Sequence, residues 1–467
     1  MRQCLISPEK GYYTRQNAGH DQFGVKGDFV TSPEISQVFG ELVGIWLYTE
    51  WLAQGQKDKI QIIEVGPGRG TLMDDVLRTI STFKSFAKSI DAVYLVEASP
   101  YLQEHQAKLL SSTGKLNALE TGNPIQFTSP SKHIPGSEIK WCEDIKFLSY
   151  EETSTPFIIA HEFFDALPIH VFQNTASSSI PASSTILTPT GPIKPKSGPQ
   201  TPKNQWHEFV VSPIQPPDPE DVTSSKTEDK EREEFHLTVS KSPTPHSLYL
   251  PQTSPRYKAL ESTPNAIIEI SPESLTYASD FATRIGGSNP TSTSTPSTSP
   301  SAFPSTSSKS TPKSSTTPYK KPTPSGCALI LDYGPLHTIP TNTLRGIRSH
   351  RPCSPFTSPG LVDLSADVDF VALAESALNA SPGVEVHGPV EQDYFLSSLG
   401  IKERAERLVS RAGDEETRKR LEGGWKRLVD RGPTGMGRIY KAMAIVPYVG
   451  RSGEVRRPVG FGGRVVG

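Results

Sequence analysis

Cysteine is scarce in this chain of 467 residues: Cys4, Cys142, Cys327 and Cys353 lie far apart, with no C-x-x-C pair and no Cys/His cluster. That spacing offers neither a disulfide framework nor a zinc site and suits a reducing compartment, so the expected set of metal ligands is none. Long apolar runs are missing too. The best, LVGIWLY at Leu42 to Tyr48, falls well short of the ~20 residues that a membrane-spanning helix needs. Charge of one sign is not in excess either: 48 Lys and Arg face 50 Asp and Glu, for a formal net charge of −2. With no overall basic field, neither nucleic acid nor an anionic membrane is an expected partner, and a substrate must be held by a local site.

What the chain has in plenty is proline, 43 residues, beside 36 glycines and an apolar fraction of only 34%. The excess is concentrated. Between Ser288 and Ser325, 30 of 38 residues are Ser, Thr or Pro, too little apolar surface to offset the entropy of ordering the segment. The length therefore does not translate into three compact domains of roughly 150 residues. The expected organisation is an amino-terminal helical segment at 1–58 packing on a cofactor-binding core at 59–173. A substrate-side insertion with disordered linkers follows at 174–287, then a disordered linker at 288–325 and the carboxyl-terminal part of the same fold at 326–467.

Thr31, Ser32, Pro33 and Glu34 have the hydroxyl, proline and acid that open a helix. Apolar residues at three- and four-residue steps carry the pattern through Leu47, and Gly40 and Gly44 one turn apart predict a close helix contact. Lys59 to Val65 then reads as a strand, Gly66 to Gly70 as a glycine turn and Thr71 to about Lys84 as a helix. Asp91 to Glu97 is a second strand, Pro100 to Leu110 its crossover helix, and Pro156 to Ala160 a further strand before His161-Glu-Phe-Phe-Asp165. Trp206 to Val211 is expected to pair with Phe235 to Val239, and Ala328 to Leu331 is another buried strand. Strand, strand-end charge and helix in alternation predict a parallel α/β fold, with ligands at the strands' carboxyl ends. His20, His105 and His133 stand alone and are expected at the surface, as is the mixed-charge helical stretch Lys402 to Lys426.

The turn Glu64-Val-Gly-Pro-Gly-Arg-Gly70 lacks the Gly-Lys-Ser/Thr of a P-loop and has Thr71 where a dinucleotide fingerprint needs glycine. What remains is acid-x-G-x-G-x-G, the turn of class I S-adenosylmethionine-dependent methyltransferases. The expected cofactor contacts are Glu64, Gly66, Pro67, Gly68, Arg69 and Gly70 around the methionine part, with Glu97 at the end of the next strand accepting ribose hydroxyls. Glu143 and Asp144, after a third strand, are either adenine contacts or exposed charges.

Longer motifs carry a resemblance. GYY at Gly11 to Tyr13, GDFVTSPEISQVFGE at Gly27 to Glu41, EVGPGRGTL at Glu64 to Leu72, HEFFDALPIHVF at His161 to Phe172, LDYG at Leu331 to Gly334, TLRGIRSH at Thr343 to His350, ADVDF at Ala366 to Phe370 and MGRIYKAMAI at Met436 to Ile445 resemble the MidA-like mitochondrial arginine methyltransferases that assist assembly of respiratory complex I. The resemblance implies a class I, Rossmann-like fold using S-adenosyl-L-methionine, an arginine of a core complex I subunit as substrate, and the mitochondrial matrix as location. Members of such a family begin with a targeting segment and a helix ahead of GYY, so the expectation is a start shortened by a truncated gene model or an internal initiator.

Guanidinium nitrogen is a poor nucleophile because its lone pair is delocalised. Carboxylates gripping the other nitrogens can localise charge away from the attacking one. Glu162 and Asp165, three residues apart, are expected to be that pair, with His161 taking the released proton; the alternative for the same two acids is to charge and cap the next helix. Asp332 and Tyr333 are weaker pocket candidates, while Asp363, Asp367 and Asp369 are expected to serve turns and helix starts. Two other functions remain open on sequence alone: a non-catalytic assembly chaperone that keeps the fold, and a small-molecule methyltransferase.

Overall fold

Ile60–Val65 is buried along its whole length, Gln61 and Glu64 included, and a strand with no polar face can only sit inside a sheet covered on both sides. In the computed structural model it does. The structure describes all residues except 9, 16–27, 29, 121, 123–124, 176–185, 189–190, 194–203, 215–232, 291–317, 451–455 and 463–467. Strands β1 (Ile60–Val65), β2 (Ile90–Val96), β3 (Asn117–Ala118), β4 (Phe127–Pro130), β5 (Glu138–Cys142), β6 (Thr155–His161), β7 (Cys327–Tyr333), β8 (Val384–Glu391) and β9 (Tyr440–Pro447) form one sheet, ordered β8-β9-β7-β6-β1-β2-β5-β4-β3. The five central strands β7, β6, β1, β2 and β5 run parallel, and β9 runs antiparallel to both β7 and β8. Strand order reverses direction between β1 and β6, which opens a crevice at the carboxyl ends of these two strands.

Helices α1 (Gln37–Ala53), α2 (Thr71–Ile80), α3 (Pro100–Leu110), α4 (Pro272–Gly286), α5 (Phe370–Ala380), α6 (Ile401–Arg411) and α7 (Glu415–Val429) cover the sheet. Ile60 and Ile62 of β1 pack with apolar residues of α1, α2, α3, α6 and α7 on one face; Ile63 and Val65 meet α4 and α5 on the other. The close helix contact expected at Gly40 and Gly44 is there: a β-carbon on Gly40 would lie 2.5 Å from Asp75 Cβ, and one on Gly44 3.1 Å from Thr79 Cβ. The single helix expected from Thr31 onward is split instead. Ser32–Ile35 makes one turn, Ser36 is extended (φ −154°), and the Ser36 hydroxyl accepts from Val38 N–H to start α1 afresh.

A second, antiparallel sheet rises from this body in the order Phe235–Val239, Gln205–Pro213, His170–Thr175, Ile267–Ile270. The expected hairpin is one edge of it, Phe209 opposing Val239. The lobe starts at His170, just inside the stretch read as cofactor-binding core, because that strand continues past residue 173. Much of the predicted linker sequence at 174–287 lies outside the described residues, but Ile186–Thr188 pairs with Gly191–Ile193 within it. Of the linker expected at 288–325, residues 291–317 lie outside the described residues, and its two ends are packed. Ser288 N–H donates to Tyr319 O at 2.8 Å, and the buried Lys321 ammonium donates to the carbonyls of Ser154, Arg284 and Ser325. Three carbonyls around one ammonium hold this end where composition predicted freedom. Among the described residues no helix is long and apolar enough to cross a membrane.

The α1–α2 contact leaves no room for a side chain. Gly40→Ala is expected to lower unfolding free energy by about 1–3 kcal/mol, seen as an earlier urea midpoint; an unmoved midpoint would mean that the two helices can separate at no cost.

Candidate active site

The carboxyl ends of β1, β2, β6 and β7 open into one cavity of about 850 Å³. Eleven acids but only five arginines and lysines line it, so a chain that is nearly neutral overall presents an acid-rich interior to a guest. The turn after β1 supplies one wall. Gly66, Gly68 and Gly70 have φ of 66°, 53° and 85°, a region that side-chain-bearing residues rarely enter. Space is as decisive as torsion at Gly66, where a β-carbon would stand 2.6 Å from the Phe163 ring. Gly70 N–H donates to Pro67 O at 2.8 Å, closing the turn, and Arg69 reaches Glu34 at 3.4 Å.

Glu97 follows β2 directly. Its carboxylate accepts from Ser99 N–H at 2.8 Å and from Gln106 at 3.2 Å, while Gln106 also donates to Gly68 O and accepts from the Trp141 indole. One glutamine thus ties the glycine turn, Glu97 and β5 together. Glu64 has no such support. It is 2% exposed and its Oε2 has no hydrogen-bond partner; burial, then the charge of Glu97, push its carboxyl up to about 8. Burial likewise raises Glu97 to about 7 against its hydrogen bonds. A buried carboxylate oxygen without a partner, beside bare glycine backbone and a second acid, fits a ligand bearing a cation and hydroxyls and disfavours a phosphate. Those donors suit the ammonium, sulfonium and ribose of S-adenosylmethionine.

Glu143 and Asp144 line the cavity too, but both already have partners: Gln126 donates to Glu143 at 2.7 Å, and Asp144 caps Ile145–Phe147 and pairs with Lys146 at 2.8 Å.

Opposite these groups in sequence, β6 delivers His161, Glu162 and Asp165 to the same cavity. Glu162 sits at φ +48°, a strained conformation for a residue with a β-carbon and one that clusters at functional sites. Its carboxylate lies 3.4 Å from Ser32 N–H and 3.3 Å from His161 Nε2 and is hydrogen-bonded by Tyr440. Burial, then the charge of Asp165, raise it to about 8. Burial also raises Asp165; Tyr333 donates to its Oδ2, and Oδ1 has no hydrogen-bond partner. His161 goes the other way, pushed down to about 3 by burial against Phe39, and stays neutral.

Asp332, expected as a pocket group, is instead the support beneath it. Its Oδ2 accepts from the backbone N–H groups of Phe163, Phe164 and Asp165 at 3.1, 2.9 and 3.4 Å, holding the tight turn that aims Glu162 and Asp165. Asp369 caps α5 as expected, and Asp367 pairs with Arg345 at 2.7 Å. Asp363 corrects the reading that gave it a turn: it lies within the strand Asp363–Ser365, takes the Tyr13 hydroxyl at 2.8 Å, lines the cavity, and is raised to about 7 by burial.

A pattern missed in the sequence now stands out. Glu162, Asp165 and Asp363 each hold a tyrosine hydroxyl, from Tyr440, Tyr333 and Tyr13 respectively. Those tyrosines belong to the motifs MGRIYKAMAI, LDYG and GYY, so the signal was in the motifs but not in any spacing. The Arg345 guanidinium lies over the Tyr333 ring, 4.6 Å from its centroid.

The sequence comparisons agree with this geometry. Residues 42–390 match the model of a family of S-adenosyl-L-methionine-dependent methyltransferases. The chain is 31% identical over 449 residues to the Rattus norvegicus protein arginine methyltransferase NDUFAF7, mitochondrial, covering 96% of this chain and 80% of that protein. It is 30% identical over 449 residues to its Homo sapiens counterpart, covering 96% and 79%. A Burkholderia thailandensis protein solved with S-adenosyl-homocysteine bound shares the fold, with a TM-score of 0.57 at 17% identity over 95% of this chain and 86% of that one.

The turn at Phe163 to Asp165 depends on one carboxylate. Asp332→Ala should strand three amide donors and destabilise the protein by about 3 kcal/mol or more, whereas Asp332→Asn, which keeps an acceptor oxygen, should lose much less. Thermal unfolding of both variants measures the difference, and equal losses would show that the three amides are not held by this carboxylate.

Proposed function

The chain belongs to this family of S-adenosyl-L-methionine-dependent methyltransferases, and from that premise we propose that it methylates an arginine of a core respiratory complex I subunit in the mitochondrial matrix. The relatives named above are mitochondrial protein arginine methyltransferases, which supports both the substrate class and the organelle. The observation that carries the reading is the trio of tyrosine-held acids, the buried Asp165 and Asp363 and the nearly buried Glu162, in the same cavity as the glycine turn. Acids whose charge is costly when the cavity holds no cation are suited to one that enters, and a guanidinium offers a planar fork for two carboxylates.

When bound, S-adenosylmethionine supplies a methyl group activated on a positively charged sulfonium. Glu64 would hold its ammonium, Glu97 its ribose hydroxyls, and the backbone of Gly66 to Gly70 would line the methionine part; Glu143 and Asp144 remain candidates near the base. Glu162 and Asp165 would grip the guanidinium nitrogens that do not react and draw positive charge toward themselves, leaving the third nitrogen richer in electrons. Alignment and charge placement are the principal aids available to an in-line displacement of this kind. His161 is a poor proton acceptor, since an imidazole held near 3 by burial gives its proton back at neutral pH.

Two measurements test this reading. Glu64 carries a proton below about pH 8 in the free protein and must release it to face an ammonium. Calorimetry at pH 7 in buffers of different ionisation heat should therefore find about one proton released on S-adenosylmethionine binding, and Glu64→Gln should bind about 100-fold more weakly without that release. No dependence on the buffer would remove Glu64 from the ammonium site. Mass spectrometry of a complex I core subunit incubated with the enzyme should find a methylated arginine. Glu162→Gln should lower that methylation at least 100-fold while changing S-adenosylmethionine affinity less than about threefold. Undiminished methylation by this variant would exclude Glu162 from the transfer.

A further inference from the structure

The spacing of histidines along the chain offered no metal ligands, yet the substrate-side lobe gathers three residues that are 76 positions apart at the extremes. We propose that His170, Glu208 and His246 form a binding site for a divalent transition cation of the zinc type. None of the three lines the large cavity, so this site stands apart from the methyl-transfer chemistry.

Backbone register makes the cluster. Glu208 opposes Phe172 in the antiparallel pairing of Gln205–Pro213 with His170–Thr175, which puts the first residue of the latter strand diagonally across from it. The short helix Pro245–Tyr249 then lays His246 on the same spot. One ligand atom from each residue falls within 4.8 Å of the other two. His170 Nδ1 is 2.6 Å from Glu208 Oε1 and His246 Nδ1 is 3.9 Å from Glu208 Oε2, with the centroids of the two imidazole rings 4.2 Å apart. A tetrahedral ion with ligands at ~2.1 Å asks for ligand atoms about 3.4 Å apart. The observed spacings bracket that value, and the half-exposed His246 is free enough to move inward.

The surroundings are those of a supported site. Thr244 donates its hydroxyl to Glu208 Oε2 and so fixes the carboxylate, and the His170 ring stacks at 8° on Phe172. Partners of this kind orient ligating groups. Two imidazoles and one carboxylate suit zinc, cobalt or nickel; magnesium and calcium would ask for oxygen throughout. Three protein ligands leave a fourth position toward solvent beside His246. A bound ion would join the end of one strand, the middle of its neighbour and the helix after the hairpin.

Tag-free full-length protein stripped by chelator and titrated with zinc chloride against a competing chelator should bind one equivalent with a dissociation constant near 1 µM or below. His246→Ala and His170→Ala should each weaken this at least 100-fold, and Thr244→Val about tenfold. S-adenosylmethionine binding should be unchanged in the exposed-site variant His246→Ala, which shows that it is folded. X-ray absorption at the zinc edge of the wild-type protein should find two imidazoles among the ligands. Failure to bind zinc at micromolar concentration, binding that survives in the His170→Ala/His246→Ala double variant, or a zinc edge without imidazole would each overturn the proposal.

Discussion

Five carboxyl groups, on Glu64, Glu97, Glu162, Asp165 and Asp363, are buried or, for Glu162, nearly so around one cavity, and burial is the largest cause raising the proton affinity of every one. Each is desolvated by the protein around it, which makes that many negative charges in one place costly. Without a cationic guest, part of the set stays protonated near neutrality; with one, the protons leave and the charges become useful. Proton affinity and ligand affinity are thus two sides of one constraint. The rest of the site is arranged to keep these acids buried, apart and pointed inward.

The arrangement has two tiers. Hydroxyls of Tyr13, Tyr333 and Tyr440 contact the acids directly and fix their orientation without neutralising them. Beneath them, neutral amides and one further carboxylate do the positioning: Gln106 links Glu97 to the glycine turn, and Asp332 gathers three backbone amides under Glu162 and Asp165. The sheet makes this possible, since parallel strands bring successive strand ends to one edge, where β1, β2, β6 and β7 each contribute. The amino-terminal segment closes the arrangement from outside. Tyr12 donates to Asp28 at 2.7 Å, and Asp28 accepts from Ser349 N–H at 2.7 Å, so residues remote in sequence hold Tyr13 against Asp363.

Elements with a strong local signature were legible in the chain. β1, the glycine turn, α3, β7 and the hairpin at Phe235–Val239 all stand within a residue or two of where periodicity and turn chemistry put them. The break at Ser36 was not, because an apolar pattern continues across it and only the extended backbone there shows that the helix restarts. Asp332 and Asp363 exchanged expectations for the same reason: an acid near the end of one strand and an acid at the start of another look alike until one knows which backbone amides or hydroxyls face them.

By itself the sequence determined the chemistry at the strand ends. An acid before three alternating glycines and a second acid after the next strand excluded phosphate-binding loops and called for a cationic, hydroxyl-bearing cofactor, because those are properties of residue type and short spacing. Only the tertiary structure decided which acids share a cavity, which are ionised, and which merely hold the turn, since proton affinity depends on burial and on neighbours contributed by distant segments. The same holds for His170, Glu208 and His246, whose meeting is set by strand register and by the packing of one short helix, quantities that no count of intervening residues contains.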